Sequence, residues 1–447
     1  MSFSLPYSRT RRYLTGMDWV IGALHRDACQ SGGGRNGAGA LSQLVLSLKG
    51  RLDEKVLRQI IDAVGRRLPL IQGRVARDWF NFAPYWKVPR EFRPELLPLR
   101  VVDLPSLSGA EADRLLGDHV NTPLASETRH LSFLLVRVGA EQSRLGMVFD
   151  HRLLDAWGAE AFLHLLAEAG HGRLAEAAAP IRRTEPAQLD RWPARFKAGR
   201  TLGEMFARLR QEEACALAPP PYGVSRRVAF VHDRLSAGES VRFIERAGDE
   251  IGVPILLPAA AARALLAVRR AIPNMALPGS RHLVFTTVST RPPGKEREAL
   301  FFNPFAFLPF FAETGPEPAP SELAAALRDQ FFDLMRRDIP QAMQDATALG
   351  RICPLGLLGD IMRRVGGGRV CTLYFACLRD SGFPGATFLG LPVHDLIHTP
   401  RAFSPPGLNL CMTWFRDHFN LVLAYVEGSL SPTAAEAILD AFKSLLL

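Results

Sequence analysis

The chain has 447 residues, of which 47% are hydrophobic and 22% are charged, a composition typical of soluble globular proteins that argues against global disorder. At about 150 residues per domain, this length predicts two or three domains. The formal net charge is +9, and 48 of the 54 basic residues are arginines. Because the arginines are scattered and no run of five or more occurs, we interpret them as a solvated surface and expect no nucleic-acid binding.

The cysteine pattern and the N-terminal residues further limit the class of protein to be expected. The six cysteines include no Cys-x-x-Cys pair, so neither a zinc ribbon nor a thioredoxin-like site is indicated. The first residues lack the apolar stretch and cleavage site of a signal peptide, and no apolar window is long enough for a membrane span. We therefore expect reduced thiols, no integral membrane span and a cytoplasmic location.

Strand and helix patterns alternate in both halves of the chain. Short runs rich in apolar residues predict strands at 41–49, 131–138, 145–149, 226–231, 283–289, 370–376, 408–414 and 420–426. Apolar residues at helical spacing predict helices at 53–67, at 156–169, and from Ser431, a natural N-cap followed by Pro432, to the end of the chain.

The middle of the chain carries few strand signals and ends in three consecutive prolines, Pro219 to Pro221. We interpret this part as a connection between two lobes. The predicted division is an N-terminal lobe of residues 1–180, a connection of 181–222 and a C-terminal lobe of 223–447. The glycine runs 32–34 and 366–368 lack the Lys-Ser/Thr of a phosphate-binding loop and are predicted to be flexible surface loops.

One histidine stands where chemistry is expected. His151 and Asp155 lie at a turn between a predicted apolar strand and a predicted amphipathic helix, where side chains can project into a cleft. Imidazole suits general-base catalysis because its ordinary pKa lies near neutrality. The spacing alone arises readily by chance, so a hydrogen-bonded core histidine at the start of a helix is the alternative interpretation.

With its surroundings, His151-x-x-x-Asp155 resembles the HxxxD motif of the CoA- and carrier-protein-dependent acyltransferases. That superfamily includes chloramphenicol acetyltransferase, condensation domains, wax ester synthases, plant acyltransferases and polyketide-associated acyltransferases. Further segments resemble the family in its own order. They are an opening segment at 14–18, a "His-Pro-x-Leu-Arg" counterpart at 67–74, an "Arg-Pro … Gly-Asn" counterpart at 288–292 with Asn303, and a closing hairpin and helix from Gly407 onward.

The resemblance implies an α/β two-layer sandwich fold in two chloramphenicol acetyltransferase-like lobes, with an active-site tunnel between them. It implies that His151 is the general base and that Asp155 pairs with Arg291 to support the catalytic loop. The co-substrate would be acyl-CoA or a phosphopantetheinyl thioester, with no metal and no permanently bound cofactor. The acceptor would be a hydrophobic small molecule that carries an alcohol or an amine. We expect the protein to be a monomer.

The sequence also departs from the family pattern. Asp150 stands where many members have a first histidine, Ala156 where many have glycine, and Phe302 where glycine precedes the asparagine. We place Asp150, Trp157, Asn303 and Thr413 in the substrate tunnel. The competing hypothesis is a binding or scaffold protein that keeps the fold without the chemistry.

Two further patterns allow two interpretations each. Six phenylalanines in residues 301–311 are typical of a buried strand, but they also fit the wall of an apolar substrate pocket. His394 and His398 have a spacing that binds metal on a helix. Flanking prolines and the lack of a third ligand instead predict a surface loop there.

Overall fold

The computed structural model describes residues 11–31, 38–79, 82–106, 108–179, 181, 192–211, 214–217, 227–275, 281–294, 296–313, 316–365, 371–379, 381–403 and 406–447. The glycine runs 32–34 and 366–368 lie outside the described residues. So do the three consecutive prolines, 219–221, of the predicted connection.

Fifteen strands are present in the described part of the chain. They are β1 Arg11–Tyr13, β2 Leu41–Lys49, β3 Arg74–Arg77, β4 Pro84–Lys87, β5 Leu99–Leu104, β6 Leu131–Val138, β7 Gln142–Asp150, β8 Val228–Arg234, β9 Arg281–Ser289, β10 Phe305–Glu313, β11 Leu373–Leu378, β12 Thr387–Phe388, β13 Leu391–Thr399, β14 Leu408–Phe415 and β15 His418–Val426.

Twelve α-helices accompany these strands within the same described ranges. They are α1 Gly16–Ser31, α2 Glu54–Arg67, α3 Gly109–Val120, α4 Ala156–Gly170, α5 Leu174–Ala178, α6 Trp192–Gln211, α7 Ala237–Ile251, α8 Leu256–Ala271, α9 Pro320–Arg336, α10 Ile339–Gly350, α11 Leu355–Val365 and α12 Pro432–Leu446.

Two six-stranded mixed sheets organise the molecule, and neither closes into a barrel. The first has the strand order β12-β13-β2-β7-β6-β5 and the second β10-β9-β11-β14-β15-β8, while β1, β4 and β3 form a small third sheet. Strands β12 and β13 come late in the chain but join the first sheet, where β13 pairs antiparallel with β2. The second half of the chain thus contributes two strands to the sheet that holds β7. The division at 1–180 and 223–447 stays a prediction.

Local sequence explains the main elements. Helix α2 begins after Asp53, whose side chain accepts the Val56 amide hydrogen bond, and its buried face holds Leu57, Ile61 and Val64. Strands β7 and β15 are buried along most of their length, as expected for apolar strands covered on both faces. The alanine-rich helix α8 is buried almost throughout, because small side chains let it pack closely on its neighbours. The predicted two-lobed α/β fold is confirmed.

The residues around His394 and His398 differ from the prediction. They belong to strand β13 rather than to a surface loop. Regular alternation would put these two residues, four apart, on one face of the strand. The pairing of β13 with β2 shifts register between Val393 and Asp395, and His394 is exposed while His398 is buried. Among the described residues no group of three or more His, Cys, Asp or Glu side chains is arranged to hold a metal ion.

No single helix in the described ranges is long and apolar enough to cross a membrane. The sharply bent pair α7 and α8 meets the length and composition test only when taken together. No disulfide joins any of the six cysteines, all of which lie in the described ranges.

Candidate active site

A cavity of about 550 Å³ lies between the two large sheets. The first sheet contributes residues of β2, β7 and β13 to its wall, and the second contributes residues of β9, β10, β11 and β14. Aromatic side chains form much of the lining: Phe149, Trp157, Phe285, Phe305, Phe307, Tyr374, Phe375 and Phe403. A concave, largely apolar space with polar groups in its wall is the usual form of a small-molecule site. His151 is one of those polar groups.

His151 lies in the turn that joins β7 to α4. Its backbone amide donates to the Ala40 carbonyl at 3.1 Å, which ties the turn to the start of β2. Asp155 then ends the turn as the N-cap of α4, and its carboxylate accepts the Gly158 amide at 2.8 Å. The turn is therefore held at both ends by short polar contacts, and the half-buried imidazole faces the cavity.

Asn303 sets the tautomer of His151. The Asn303 Nδ2 donates to the His151 carbonyl at 2.9 Å and to Asp18 Oδ1 at 3.0 Å, and a backbone carbonyl can only accept. The amide oxygen of Asn303 is thus the atom 2.9 Å from His151 Nδ1, so Nδ1 carries the hydrogen. In the neutral imidazole this leaves the Nε2 lone pair free, as a general base requires.

Asp18 anchors the asparagine from helix α1. Its Oδ1 also accepts the Asn303 backbone amide at 2.9 Å, and its Oδ2 accepts the Thr15 amide and hydroxyl, both at 2.7 Å. Burial raises the pKa of the Asp18 carboxyl, and the hydrogen bonds from Thr15 and Asn303 offset part of that rise. Asp18 lies in the 14–18 segment on which the resemblance partly rests, but no local pattern there indicated its contact with Asn303.

Phe302 explains one departure from the family pattern. Its φ of 74° lies in the left-handed region, which favours glycine and is strained for a bulky residue. Its backbone amide donates to the Leu153 carbonyl at 2.7 Å, and the residue forms a bridge with Leu154. The position before Asn303 therefore has the geometry that suits the family's glycine, while the Phe302 side chain is buried in the first lobe's core.

Asp155 and Arg291 form a buried bidentate ion pair. The Arg291 Nη1 and Nη2 lie 2.6 and 2.7 Å from the two Asp155 carboxylate oxygens. Arg291 also donates to the Ala299 carbonyl and packs 4.8 Å from the centre of the Trp157 ring. Paired, planar contacts of this kind fix geometry as well as charge. The pair joins the start of α4 to the segment that follows β9.

Gly158 allows this close approach. A Cβ at this position would lie 2.3 Å from the Leu300 carbonyl oxygen, well inside van der Waals contact. We expect Gly158→Ala to lower the free energy of unfolding by about 1–3 kcal/mol, the usual effect of overpacking. Chemical denaturation measures it. Gly203→Ala on α6 is the control, since a Cβ there meets nothing within 4 Å. Equal stability of Gly158→Ala and the wild type would contradict the close contact.

Asp150 lies behind the turn rather than on the cavity wall, which does not agree with its predicted place in the tunnel. It is 1% exposed and is not among the residues that line the cavity. Its carboxylate is 2.9 Å from His130 Nδ1 and accepts from the backbone and guanidinium of Arg152. His130 Nε2 in turn faces the Gly73 carbonyl at 2.7 Å. The partners at this site are those of a carboxylate.

The charge on Asp150 predicts an acid-dependent loss of stability. Burial alone would raise the pKa of Asp150, but Arg152 and the His130 hydrogen bond hold it well below its ordinary value of 3.8. A folded-state pKa below the unfolded value contributes stability that is present above about pH 4 and lost as the pH falls below it. Asp150→Asn should therefore be less stable at neutral pH and show a shallower acid slope. Denaturant titrations from neutral to acid pH measure both, with exposed Glu141→Gln as the control; equal slopes would contradict the assignment.

The remaining candidates lie at different distances from the cavity. Trp157 lines it, whereas Asn303 is fully buried behind His151. Thr413 lies on β14, two residues from the lining residue Cys411, and is itself buried outside the lining. Its Oγ1 has no hydrogen-bond partner among the described atoms. Of the phenylalanine-rich segment, Phe305 and Phe307 line the cavity while the others pack elsewhere.

The fold has clear relatives among solved structures. No protein-family model matches the sequence, and no curated protein matches it. The first condensation domain of the CDA synthetase superposes with a TM-score of 0.69 at 17% identity, over 98% of this chain and 96% of that domain. The starter condensation domain of rhizomide synthetase, solved with a CoA ligand and Leu-SNAC, gives 0.65 at 13%, over 98% and 94%.

An epimerization domain from tyrocidine synthetase B superposes as well, with a TM-score of 0.62 at 11% identity over 98% of this chain and 95% of that domain. The chain therefore has the condensation-domain fold. The resemblance inferred from the HxxxD segment is confirmed at the level of the fold, and the roles of individual residues stay predictions.

Proposed function

We propose that this protein is an acyltransferase. It would move an acyl group from a thioester donor, acyl-CoA or an acyl carrier protein, to an alcohol or amine acceptor in lipid or natural-product biosynthesis. The observation that carries the proposal is His151 on the wall of the cavity between the sheets, with Nδ1–H donated to Asn303. A neutral imidazole held in this tautomer presents Nε2 as a base to whatever occupies the cavity.

The chemistry follows from that geometry. Nε2 of His151 takes the proton from the acceptor hydroxyl or amine as its oxygen or nitrogen attacks the thioester carbonyl. The tetrahedral intermediate collapses by breaking the carbon–sulfur bond, and the thiolate leaves with the proton that His151 had taken. The product is an ester or amide and a free thiol. A positioned base of this kind contributes about 10²–10⁴-fold, and alignment of both substrates in one cavity contributes further.

Asp155 and Arg291 act as positioning residues in this proposal. Their carboxylate and guanidinium groups bond to each other, so neither is free to take a proton from the acceptor. They hold the start of α4, and with it the His151 turn, against the segment that carries Asn303. The donor, acceptor and carrier protein are expected partners. We propose no permanently bound cofactor, a cytoplasmic location and a monomer.

The test is thiol release from a panel of acyl-CoAs and acyl carrier proteins, each with a mixture of alcohol and amine acceptors. Acyl transfer predicts release that requires an acceptor and disappears in His151→Ala. Thiol release from acyl-CoA would identify CoA as a donor. Release from acyl carrier proteins alone would identify the carrier protein as the donor. No acceptor-dependent release from either class would overturn the proposal and favour a binding or scaffold protein of the same fold.

A further inference from the structure

A second histidine lies on the wall of the same cavity. His398, near the end of β13, lines the cavity and is 4% exposed. Its Nε2 is hydrogen-bonded to Oε1 of Glu160, which is buried on α4. The pair thus connects β13, which joins the first sheet, with α4, the helix capped by Asp155.

Hydrogen bonds from the 381–382 segment hold the Glu160 carboxylate in position. Its Oε2 accepts the Ser381 hydroxyl at 2.5 Å and the Gly382 amide at 2.6 Å. A Cβ on Gly382 would lie 2.7 Å from the Trp157 carbonyl oxygen and 3.0 Å from the Ala161 amide nitrogen. Glycine therefore lets the 381–382 segment approach α4 closely enough to donate to the carboxylate. Both contacts to Oε2 are donated by Ser381 and Gly382, so this oxygen is an acceptor.

This arrangement fixes the hydrogen on His398. An ionised carboxylate can only accept, so with Glu160 ionised His398 Nε2 is the donor, and in the neutral imidazole the lone pair then lies on Nδ1. No hydrogen bond from Nδ1 to any described atom is present. The cavity thus has two oriented imidazoles. His151 is held by a neutral amide through Nδ1, and His398 by a carboxylate through Nε2.

The two rings are separated along the sheet. His398 pairs with Leu44 on β2, whereas the His151 amide bonds to Ala40, just before β2 begins. Four residues of strand correspond to a separation on the order of 13 Å. The wall between them is largely aromatic and apolar. A ligand that reaches both rings therefore needs an apolar body with a polar group at each end.

We infer that His398, oriented by Glu160, is a binding residue for a second hydrogen-bond donor on the acceptor substrate. This rests on the proposed acyl transfer. The acceptor class is then a diol or an amino alcohol. One group delivers its proton to His151 Nε2, while the second hydroxyl or ammonium donates to His398 Nδ1. A carboxylate behind the imidazole favours such a donor, and the fixed second contact aligns the reacting group.

The experiment compares matched acceptors. Linear alcohols, α,ω-diols, amino alcohols and the mono-methyl ethers of the diols are assayed across a range of chain lengths. The wild type should prefer diols or amino alcohols over plain alcohols of the same length by about ten- to a hundredfold in kcat/KM. The preference should peak at one length and appear mainly in KM. His398→Phe, which keeps a ring without nitrogen, should abolish the preference.

Glu160→Gln provides a sharper variant. The glutamine oxygen can accept from Ser381 and Gly382 while its amide donates to His398 Nε2, which moves the ring hydrogen to Nδ1. The preference should then shift from the diols toward their methyl ethers, which a loss of packing would not produce. The double variant with Glu160→Gln and His398→Phe avoids an unpaired buried carboxylate if the single His398 variant fails to fold. His394→Ala, on the exposed face of the same strand, is the control and should retain the wild-type preference.

Equal use of diols and plain alcohols by the wild type would overturn the inference while leaving acyl transfer intact. An unchanged preference in folded His398→Phe, or discrimination that follows hydroxyl groups on the acyl donor instead, would also overturn it. Absence of thiol release with every acceptor is a different result, because it contradicts the proposed acyl transfer itself.

Discussion

Replacing His151 with alanine is expected to lower acceptor-dependent thiol release by about 10²–10⁴-fold. The expected cause is loss of the Nε2 base, which Asn303 holds in the correct tautomer through Nδ1. The imidazole is only half-buried and belongs to a turn that is tied down elsewhere. The variant should therefore fold, and the loss should appear in kcat. A colorimetric thiol assay at saturating donor and acceptor measures it.

His171→Ala is the matched control for this variant. His171 is exposed and lies just beyond the last residue of the same helix, α4. It should retain the wild-type rate. Activity in His151→Ala within a few-fold of the wild type would show that the base is another group or that the reaction needs none.

Breaking the Asp155–Arg291 pair is expected to have the largest effect on stability. Arg291→Leu leaves the Asp155 carboxylate buried without its guanidinium partner. Loss of one member of a buried, hydrogen-bonded pair typically lowers the free energy of unfolding by about 3–5 kcal/mol. Chemical denaturation measures this loss, and activity should fall with it because the His151 turn loses its support.

A double-mutant cycle separates the interaction energy between Asp155 and Arg291 from the effect of each single change on stability. Asp155→Asn with Arg291→Leu should be less destabilising than the sum of the single changes, since no unpaired charge then remains buried. Arg173→Ala breaks the exposed Arg173–Glu168 pair on the same helix region and should have a far smaller effect. Additive single changes at Asp155 and Arg291 would contradict a direct interaction.

Local sequence patterns predicted much of the fold. Helix α2 was recognisable from its one apolar face, and strands β6, β7, β14 and β15 from short apolar runs between turn residues. The His151 turn was recognisable because a strand signal and a helix signal meet there. Each of these features depends on residues close together in the chain, which a periodicity can report.

Long-range features were not predictable in the same way. Nothing local in 391–399 indicates that β13 pairs with β2 from the first half of the chain, because strand order depends on the whole sheet. That crossing is what buries His398 and brings it to Glu160, more than two hundred residues earlier in the chain. The glycine that precedes the asparagine in the family pattern could not be recognised here either, because Phe302 occupies that position. Its backbone has the positive φ that usually favours glycine.

Asp150 illustrates how a single departure can mislead. Read as a missing first histidine, it indicated a lost function or a tunnel residue. The structure instead gives the carboxylate its own set of partners, from His130 and Arg152. Arg152 is only two residues from Asp150, so this partner was open to prediction from the sequence. His130 immediately precedes β6, and its contact with Asp150 depends on how β6 pairs with β7 in the sheet.

The mass of the acceptor after incubation with an acyl thioester is the most direct test of acyl transfer in the His151 cavity. In the wild type we expect an acceptor heavier by one acyl group, with one free thiol released for each. The His151→Ala variant should form this product at a rate lower by orders of magnitude. Thiol release with no acylated acceptor, or equal product from both proteins, would contradict the account.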